Sequence, residues 1–408
     1  MKILVLNSGS SSQKSCLYEV GDALPDHPPN PVWQAKIEWD GSAADIQVKT
    51  SKGATFSDRV RSISRRQALE RLFHSLWEGD ARAVEKPSEI CVVGHRIVHG
   101  GHRFEKPVIV TDEVKRAIAG VSAFAPLHNR AGLEGVEIME RLLERVPQVA
   151  VFDTAFHHQL PLAAAVYPGP YEWFERGIRR YGFHGINHQY CAQRAAQLLG
   201  KHLDSLRLVS CHLGNGCSLA AIEHGRSVDT TMGFTPLEGL MMGTRSGSVD
   251  PGILTYLMRE EEIDGWRLDE LLNNESGLLG ISGVSSDMRK VLDAMKLGNE
   301  RAALAFRIFV HRLRSGIGSM VAALGGLDAL IFTAGIGENS VVAREAACAG
   351  LGYLDLKLDP VRNNQSPVDQ DIAARDSSVR VLVIQAQEDW AIARECWRMC
   401  SKSHCVSF

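Results

Sequence analysis

Lys2-Ile-Leu-Val-Leu-Asn7-Ser-Gly-Ser-Ser-Ser12 opens the chain, and Arg207-Leu-Val-Ser-Cys-His212-Leu-Gly-Asn-Gly-Cys-Ser-Leu219 repeats its design roughly two hundred residues later. Each reads as a buried strand, a turn of Gly, Ser or Asn, and a second strand. One design used twice at that separation points to a duplicated fold whose halves each offer a polar turn to one cleft. Around the two hairpins, short apolar runs ending in Gly, Asp or Asn alternate with stretches of helical period, the pattern of an α/β protein. Positions 2–6, 90–93, 148–152, 206–211, 328–333 and 379–384 read as strands, and 66–77, 129–146, 299–324 and 388–400 as amphipathic helices. In the second helix Leu133, Val136, Met139, Leu142, Leu143 and Val146 fall at helical spacing. The proline-rich stretch 22–31 and the polar stretch 359–378 read as surface excursions.

A chain of 408 residues exceeds what one hydrophobic core organises, so two domains are expected. The net charge of −3, with 45% hydrophobic and 23% charged residues, argues against nucleic acid or an anionic membrane as the main partner. The apolar run Ile3–Leu6 is too short for a signal peptide, and no segment approaches the ~20 apolar residues of a membrane span. Nine cysteines include no Cys-x-x-Cys pair. Cys16, Cys91, Cys211 and Cys217 sit in strand-like stretches and read as buried reduced thiols, which implies a reducing compartment and a cytoplasmic location.

The turn after the first strand carries Asn7, Ser10, Ser12 and Lys14, donors without a competing carboxylate, as a polyphosphate requires. It is not a Walker A loop, and by itself it reads equally as a plain serine-rich connection. Arg96 stands at the polar exit of the strand before Gly94-His-Arg-Ile-Val-His-Gly-Gly-His-Arg-Phe104; His95, His99 and His102 lack an acidic partner at metalloprotease spacing, which disfavours zinc. Arg245 lies in the Gly-flanked loop Gly239-Leu-Met-Met-Gly-Thr-Arg-Ser-Gly247. The planar guanidinium fork binds a phosphoryl group or a carboxylate bidentately, although either arginine alone also reads as a solvated surface residue. Asp153 follows an apolar strand and Glu388 opens the last helix; carboxylates so placed suit Mg²⁺, and Glu388 also suits a helix N-terminus. His128 and His184, each between turn formers and apolar residues, read as ligand-facing or as core histidines. Ala329-Leu-Ile-Phe-Thr-Ala-Gly-Ile-Gly-Glu-Asn-Ser340 reads as a strand, a Gly-rich turn and a helix. It fits a weak Rossmann fingerprint, with Asp355 twenty residues beyond Gly335, and equally a turn that seats adenosine.

Taken in order, these motifs resemble the acetate kinase family, within the acetate and sugar kinase, heat-shock chaperone and actin superfamily. The likeness rests on Asn7-Ser-Gly-Ser-Ser-Ser, His95-Arg-Ile-Val-His-Gly-Gly, Ala125-Pro-Leu-His-Asn, Phe152-Asp-Thr-Ala-Phe-His, Arg180-Tyr-Gly-Phe-His-Gly, His212-Leu-Gly-Asn-Gly, Thr231-Met-Gly-Phe-Thr-Pro-Leu-Glu-Gly, Ser285-Ser-Asp-Met-Arg and Phe332-Thr-Ala-Gly-Ile-Gly-Glu-Asn-Ser. The resemblance implies an α/β, duplicated actin-like (ribonuclease H-like) fold with the active-site cleft between two domains: 1–153 with 388–408, and 154–387 with the nucleotide site. It implies that Arg96, Asp153, His184, Arg245 and His128 are catalytic. Asn7, Ser10, Ser12, Lys14, His212, Gly214, Asn215, Gly216, Asp287, Met288, Arg289, Gly335, Ile336, Gly337 and Asn339 would meet the nucleotide, and Asn7 and Glu388 the metal. Val98, Leu127, Phe183 and Pro236, with Arg96, would line the acid pocket.

The reaction so implied is in-line attack of a carboxylate on the γ-phosphorus of ATP, with acetate as acceptor and acetyl phosphate and ADP as products. Mg²⁺, with Mn²⁺ as a substitute, would be the metal, and the enzyme a homodimer. The alternatives from the residues are a kinase for propionate or another short acid, a nucleotide-binding switch, and a dehydrogenase. The chain departs from the family pattern at Ile186 and Asn187 before His188, at Arg130, at Ser248, and at Ala386 and Gln387 before Glu388. None of these removes a proposed catalytic group.

Overall fold

The computed structural model describes residues 1–9, 12–40, 43–61, 64–122 and 126–401, without the side chains of 40 and 126–128. Its residues group into two compact units, Met1–Ala155 with Gln387–Phe408, and Phe156–Ala386.

In the first unit, β1 (Lys2–Ser8) buries Ile3, Leu4, Val5 and Leu6 completely. An unbroken apolar run of this kind needs cover on both faces, which places the strand inside the sheet. It pairs antiparallel with β2 (Ser12–Glu19), and the meander continues through β3 (Trp33–Asp40), β4 (Ala43–Thr50) and β5 (Thr55–Arg61). On its other side β1 pairs in parallel with β6 (Ile90–Ile97), which pairs in parallel with β8 (Gln148–Phe152), and the short β7 (Val108–Ile109) closes the edge antiparallel to β8. The order is β5-β4-β3-β2-β1-β6-β8-β7.

Helices cover both faces of this sheet. Arg65–His74 starts from a capping box, Ser64 Oγ accepting from Gln67 N at 3.2 Å, and packs Leu69, Leu72 and Phe73 into a cluster with Leu4, Leu6, Ile138 and Met139. The last helix, Glu388–Ser401, buries Trp390, Ile392 and Cys396. It lies so close to β6 that a methyl group on Gly94 would stand 2.6 Å from Cys396 Sγ and Ile392 Cγ2. Glycine inside a strand here marks the close approach of this helix at Ile392 and Cys396.

The second unit repeats the plan. β9 (Arg207–Leu213), β10 (Cys217–Glu223) and β11 (Arg226–Thr230) form an antiparallel meander; β12 (Ala329–Thr333) and β14 (Arg380–Val383) join β9 in parallel, and β13 (Gln370–Asp371) closes the edge, giving β11-β10-β9-β12-β14-β13. Strands β3-β2-β1-β6-β8-β7 therefore have a counterpart in each position of the second sheet. This is the duplicated actin-like arrangement, read in the sequence from its two opening hairpins. Helix Gly185–Leu199 covers β9 and β12, and the long helix Glu300–Leu324 runs under β10, capped by Asn299 and ended by Gly325 in the left-handed region at φ 64°.

Four expectations need correction. Cys91 is exposed rather than buried, because the register of β1 and β6 shifts between Lys2–Ile90 and Ile3–Val92 and leaves Cys91 outside the ladder. Segment 359–378 is not merely an excursion: it forms helix Pro360–Asn364 and β13 and buries Asn363, Ile372 and Ala373. Residues Ala334–Asn339 form a short helix rather than a turn, entered through Ala334 at φ 65°. The helix expected over 129–146 runs from Pro126 to Leu142. Among the described residues no helix is long and apolar enough to cross a membrane.

Candidate functional site

In the first unit, the carboxyl ends of β1, β6 and β8 bring Asn7, Arg96 and Asp153 together. Arg96 donates to Asp153 Oδ2 through Nε at 3.0 Å and Nη2 at 2.5 Å, and its Nη1 donates to Asn7 Oδ1 at 3.1 Å. Asn7 Nδ2 in turn donates to Glu388 Oε2 at 3.1 Å and to Asp389 Oδ1 at 2.9 Å. Burial works against the charge of Arg96, yet Asp153, Glu388 and Asp389 hold its pKa above the usual guanidinium value. Burial pushes the Asp389 carboxyl up, the Asn7 N–H pulls it down, and Glu388 adds to the rise. Asp389 was absent from the sequence reading, since a second acid in a first helical turn looks like ordinary N-terminal charge. Ser12 starts β2, and Lys14 is exposed on it opposite Asn7. Val98, just beyond β6, is buried. Ser10 and the side chains of Leu127 and His128 lie outside the described residues.

In the second unit, His184 caps helix Gly185–Leu199 in the left-handed region at φ 56° and stacks on His212 with ring centroids 3.9 Å apart and planes 10° off parallel. Its Nδ1 lies 2.9 Å from Ser218 Oγ, and Ser218 Oγ is also 2.8 Å from Nε2 of buried His188. A methyl group built on Gly216 would lie 3.5 Å from both His184 Nε2 and Arg245 Nη1. Those two nitrogens therefore converge beside one glycine. Arg245 Nη1 also donates to Pro236 O at 3.0 Å, which ties two positions of the 231–247 loop nine residues apart. Arg180 holds the start of that loop, donating to the carbonyls of Thr230, Thr231 and Met232 and pairing with Glu238 at 2.7 Å. Phe183 is buried and Pro236 half-buried.

Beside this cluster opens a cavity of about 720 Å³, lined by Gly214, Asn215, Asp287, Met288, Arg289, Gly335, Ile336 and Asn339, and also by Ser286, Leu292, Ser340, Val341 and Val342. Its size suits a nucleoside with phosphates. Asp287 caps helix Met288–Lys296, accepting from Arg289 N at 2.9 Å, and the Arg289 guanidinium holds its carboxyl below the usual range. Asn339 Nδ2 donates to Gly335 O at 2.9 Å. Gly337 does not line the cavity; a methyl group there would meet Phe332 C at 3.3 Å, so its role is close packing of the short helix on β12. Asp355 is also absent from the lining and pairs with Lys357 at 3.5 Å, which leaves the Rossmann reading without its acidic partner. Of the extra lining residues, Ser286 and Ser340 fall inside quoted motifs, while Leu292, Val341 and Val342 lie just beyond them.

The departures from the family pattern are accommodated locally. Ser248 Oγ accepts from Gly239 N at 3.0 Å, Ala386 N donates to Glu338 Oε1 at 2.9 Å, Arg130 is exposed, and Ile186 and Asn187 are buried.

Two sheets of one topology and a nucleotide-sized cavity in the second unit define an actin-like α/β protein of the ATP-dependent kinase class. The Acetokinase family model matches residues 2–394, and the chain belongs to that family. Curated acetate kinases from Trichormus variabilis and Cyanothece sp. are 60% and 58% identical to it, over 98% of this chain and 100% and 98% of theirs. Among solved structures, Porphyromonas gingivalis acetate kinase superposes with TM-score 0.89 at 39% identity, covering 98% of this chain and 99% of that one. A propionate kinase from Francisella tularensis gives TM-score 0.89 at 36% identity, over 97% and 99%.

Proposed function

We infer that the chain catalyses reversible transfer of the γ-phosphoryl group of ATP to acetate, giving acetyl phosphate and ADP. The convergence of His184 Nε2 and Arg245 Nη1 on Gly216, next to a nucleotide-sized cavity, carries this reading. Near-full-length relatives at 58–60% identity named acetate kinase support the choice of acid.

A carboxylate is already ionised at neutral pH, so its oxygen attacks the γ-phosphorus without a general base and ADP leaves in line. Catalysis then reduces to positioning and to neutralising charge on three equatorial oxygens. Arg96, Arg245 and His184 donate to those oxygens, Asp153 aims Arg96, and His128 supports the carboxylate side. Ser10, Ser12, Lys14, His212 and the Gly214–Gly216 turn meet the phosphates. Asp287, Met288, Arg289, Gly335, Ile336 and Asn339 seat adenosine, with Gly337 packed behind. Val98, Leu127, Phe183 and Pro236 take the methyl end.

The donor set around Asn7 fits a hard cation, since Glu388 and Asp389 offer carboxylate oxygens held side by side by one amide. Mg²⁺ there, or Mn²⁺ in its place, would neutralise phosphate charge. We take residues 1–153 with 388–408 and 154–387 as the two actin-like domains, and a homodimer as the working assembly. Ile253, Tyr256 and Met258 on helix Pro251–Glu260, and Trp266, are exposed apolar residues that a second copy would cover.

Trapping the acyl phosphate with hydroxylamine, alongside ADP release with acetate, propionate and butyrate, tests the reading. Acetate should give the highest kcat/KM. Faster turnover of propionate would favour the second reading, suggested by the Francisella propionate kinase. No acyl hydroxamate from any acid would reject both.

A further inference from the structure

Asn187 is wholly buried in the first turn of helix Gly185–Leu199. Nδ2 lies 2.9 Å from His212 Nδ1 and 3.4 Å from Thr333 Oγ1, while Oδ1 accepts from Cys191 Sγ at 3.7 Å. With Oδ1 at the Cys191 thiol, Nδ2 is the atom turned to His212. An amide nitrogen only donates, so His212 Nδ1 must be the accepting, unprotonated nitrogen, and a neutral ring then carries its proton on Nε2. A methyl group on Gly214 would lie 3.8 Å from that Nε2, which places the N–H beside the turn that lines the cavity.

We propose that Asn187 is a positioning residue for the nucleotide phosphates: it locks His212 in the tautomer whose Nε2–H faces the Gly214–Asn215 turn, where a phosphate oxygen accepts it. The proposal rests on the phosphotransferase reading for the identity of the acceptor. The opposite tautomer would present a lone pair to an anion and repel it. Thr333 is paired with His212 across β12 and β9, so one amide braces two neighbouring strand ends at the cavity. Two histidine rings face His212: His184, stacked on it, and His188, edge-on at 6.2 Å; β10 places Ser218 opposite. His188 is kept neutral by burial.

Two variants separate donor from acceptor at this position. Asn187→Ser offers in its place a shorter hydroxyl that can donate, and should stay nearer to wild type than Asn187→Asp. Asn187→Asp can only accept, so the proton moves to Nδ1. Nε2 then keeps its proton only while the ring is a cation. Its KM for ADP should rise with pH by about tenfold or more, whereas that of wild type shows no such rise. Nitrogen NMR of histidine-labelled protein, with His212→Gln for assignment, reads the tautomer directly and without turnover. It should show Nδ1 bare and Nε2 protonated in wild type and in Asn187→Ser. A proton on Nδ1 in wild type, or a folded Asn187→Asp whose pH profile matches wild type, would overturn the proposal. An Nε2–H tautomer in a protein that fails to phosphorylate acetate would support the proposed tautomer lock while rejecting the phosphotransferase reading.

Discussion

Arg96 engages a single oxygen of Asp153, Oδ2, through both Nε and Nη2, and this leaves Nη1 directed at Asn7. The carboxylate therefore fixes the plane of the guanidinium rather than only balancing its charge. Arg96→Ala and Arg245→Ala should each lower kcat by on the order of 10² to 10³, the usual loss for a preorganised donor to transition-state charge. Asp153→Asn should keep the fold and lower kcat by about tenfold or more, because the aim of Arg96 is relaxed. Steady-state kinetics on folded variants decides it; either arginine variant retaining more than about a tenth of wild-type kcat removes that arginine from the transition state.

Glu388 is expected to act through the metal. Glu388→Ala should raise the Mg²⁺ concentration needed for half-maximal rate, and Glu388→Lys should be worse, since it adds a cation where one must bind. Titrating Mg²⁺ at saturating ATP and acetate measures this. Identical titrations in all three proteins would return Glu388 to the ordinary role of an acid at a helix N-terminus.

Acid should destabilise the fold in a defined window. Burial pushes the pKa of His95 down to about 4, against the opposing bond to Gln148 Oε1 at 2.6 Å, and that of His157 also to about 4. His188 is pushed well below its ordinary value by burial and by its neighbours His157 and His212. Below about pH 6.5 the unfolded chain binds a proton at each, which the folded chain refuses until near pH 4 at His95 and His157. Stability is thus fully present above about 6.5 and falls towards 4. The melting temperature should drop through that window, and His95→Gln should shallow the slope by up to one proton. A melting temperature flat from about pH 7 to 5 would show that these rings bind protons inside the fold.

Much of this was legible because the physics is local. The continuous apolar runs of β1, β8 and β12 announce two-sided burial, and the turns after β1 and β9 announce hairpins, so the duplication could be read from residues 2–12 and 207–219. Arg96, Asp153 and Asn7 could be placed at strand ends for the same reason. What escaped depends on neighbours distant in sequence. Asn187 was visible only as a departure from the family pattern until His212 and Thr333 came beside it, and Gly94 was silent until the last helix packed on it. Three glycine or asparagine positions in Ala334–Asn339 favour a turn by composition, yet packing on β9 and β12 makes it helical.

The last expectation concerns the size of the acid. Val98 and Phe183 are each buried within their own unit, with 5% and 1% of their surface exposed, so neither side chain has room to yield to a larger acid. An apolar pocket gains about 0.8 kcal/mol per methylene where there is room and loses roughly 1–3 kcal/mol to overpacking where there is none. Acetate should therefore be preferred, and propionate turned over with kcat/KM lower by about tenfold to a hundredfold, since one methylene rarely discriminates more. Butyrate should be poor. Val98→Ala removes two methyl carbons from the wall and should improve propionate relative to acetate mainly through KM, because the methyl end lies away from the reacting oxygen. The comparison needs kcat and KM for both acids in both proteins. If wild type prefers propionate, the acetate assignment is wrong; if the ratio of the two acids is the same with alanine at position 98, these side chains are not the selective wall.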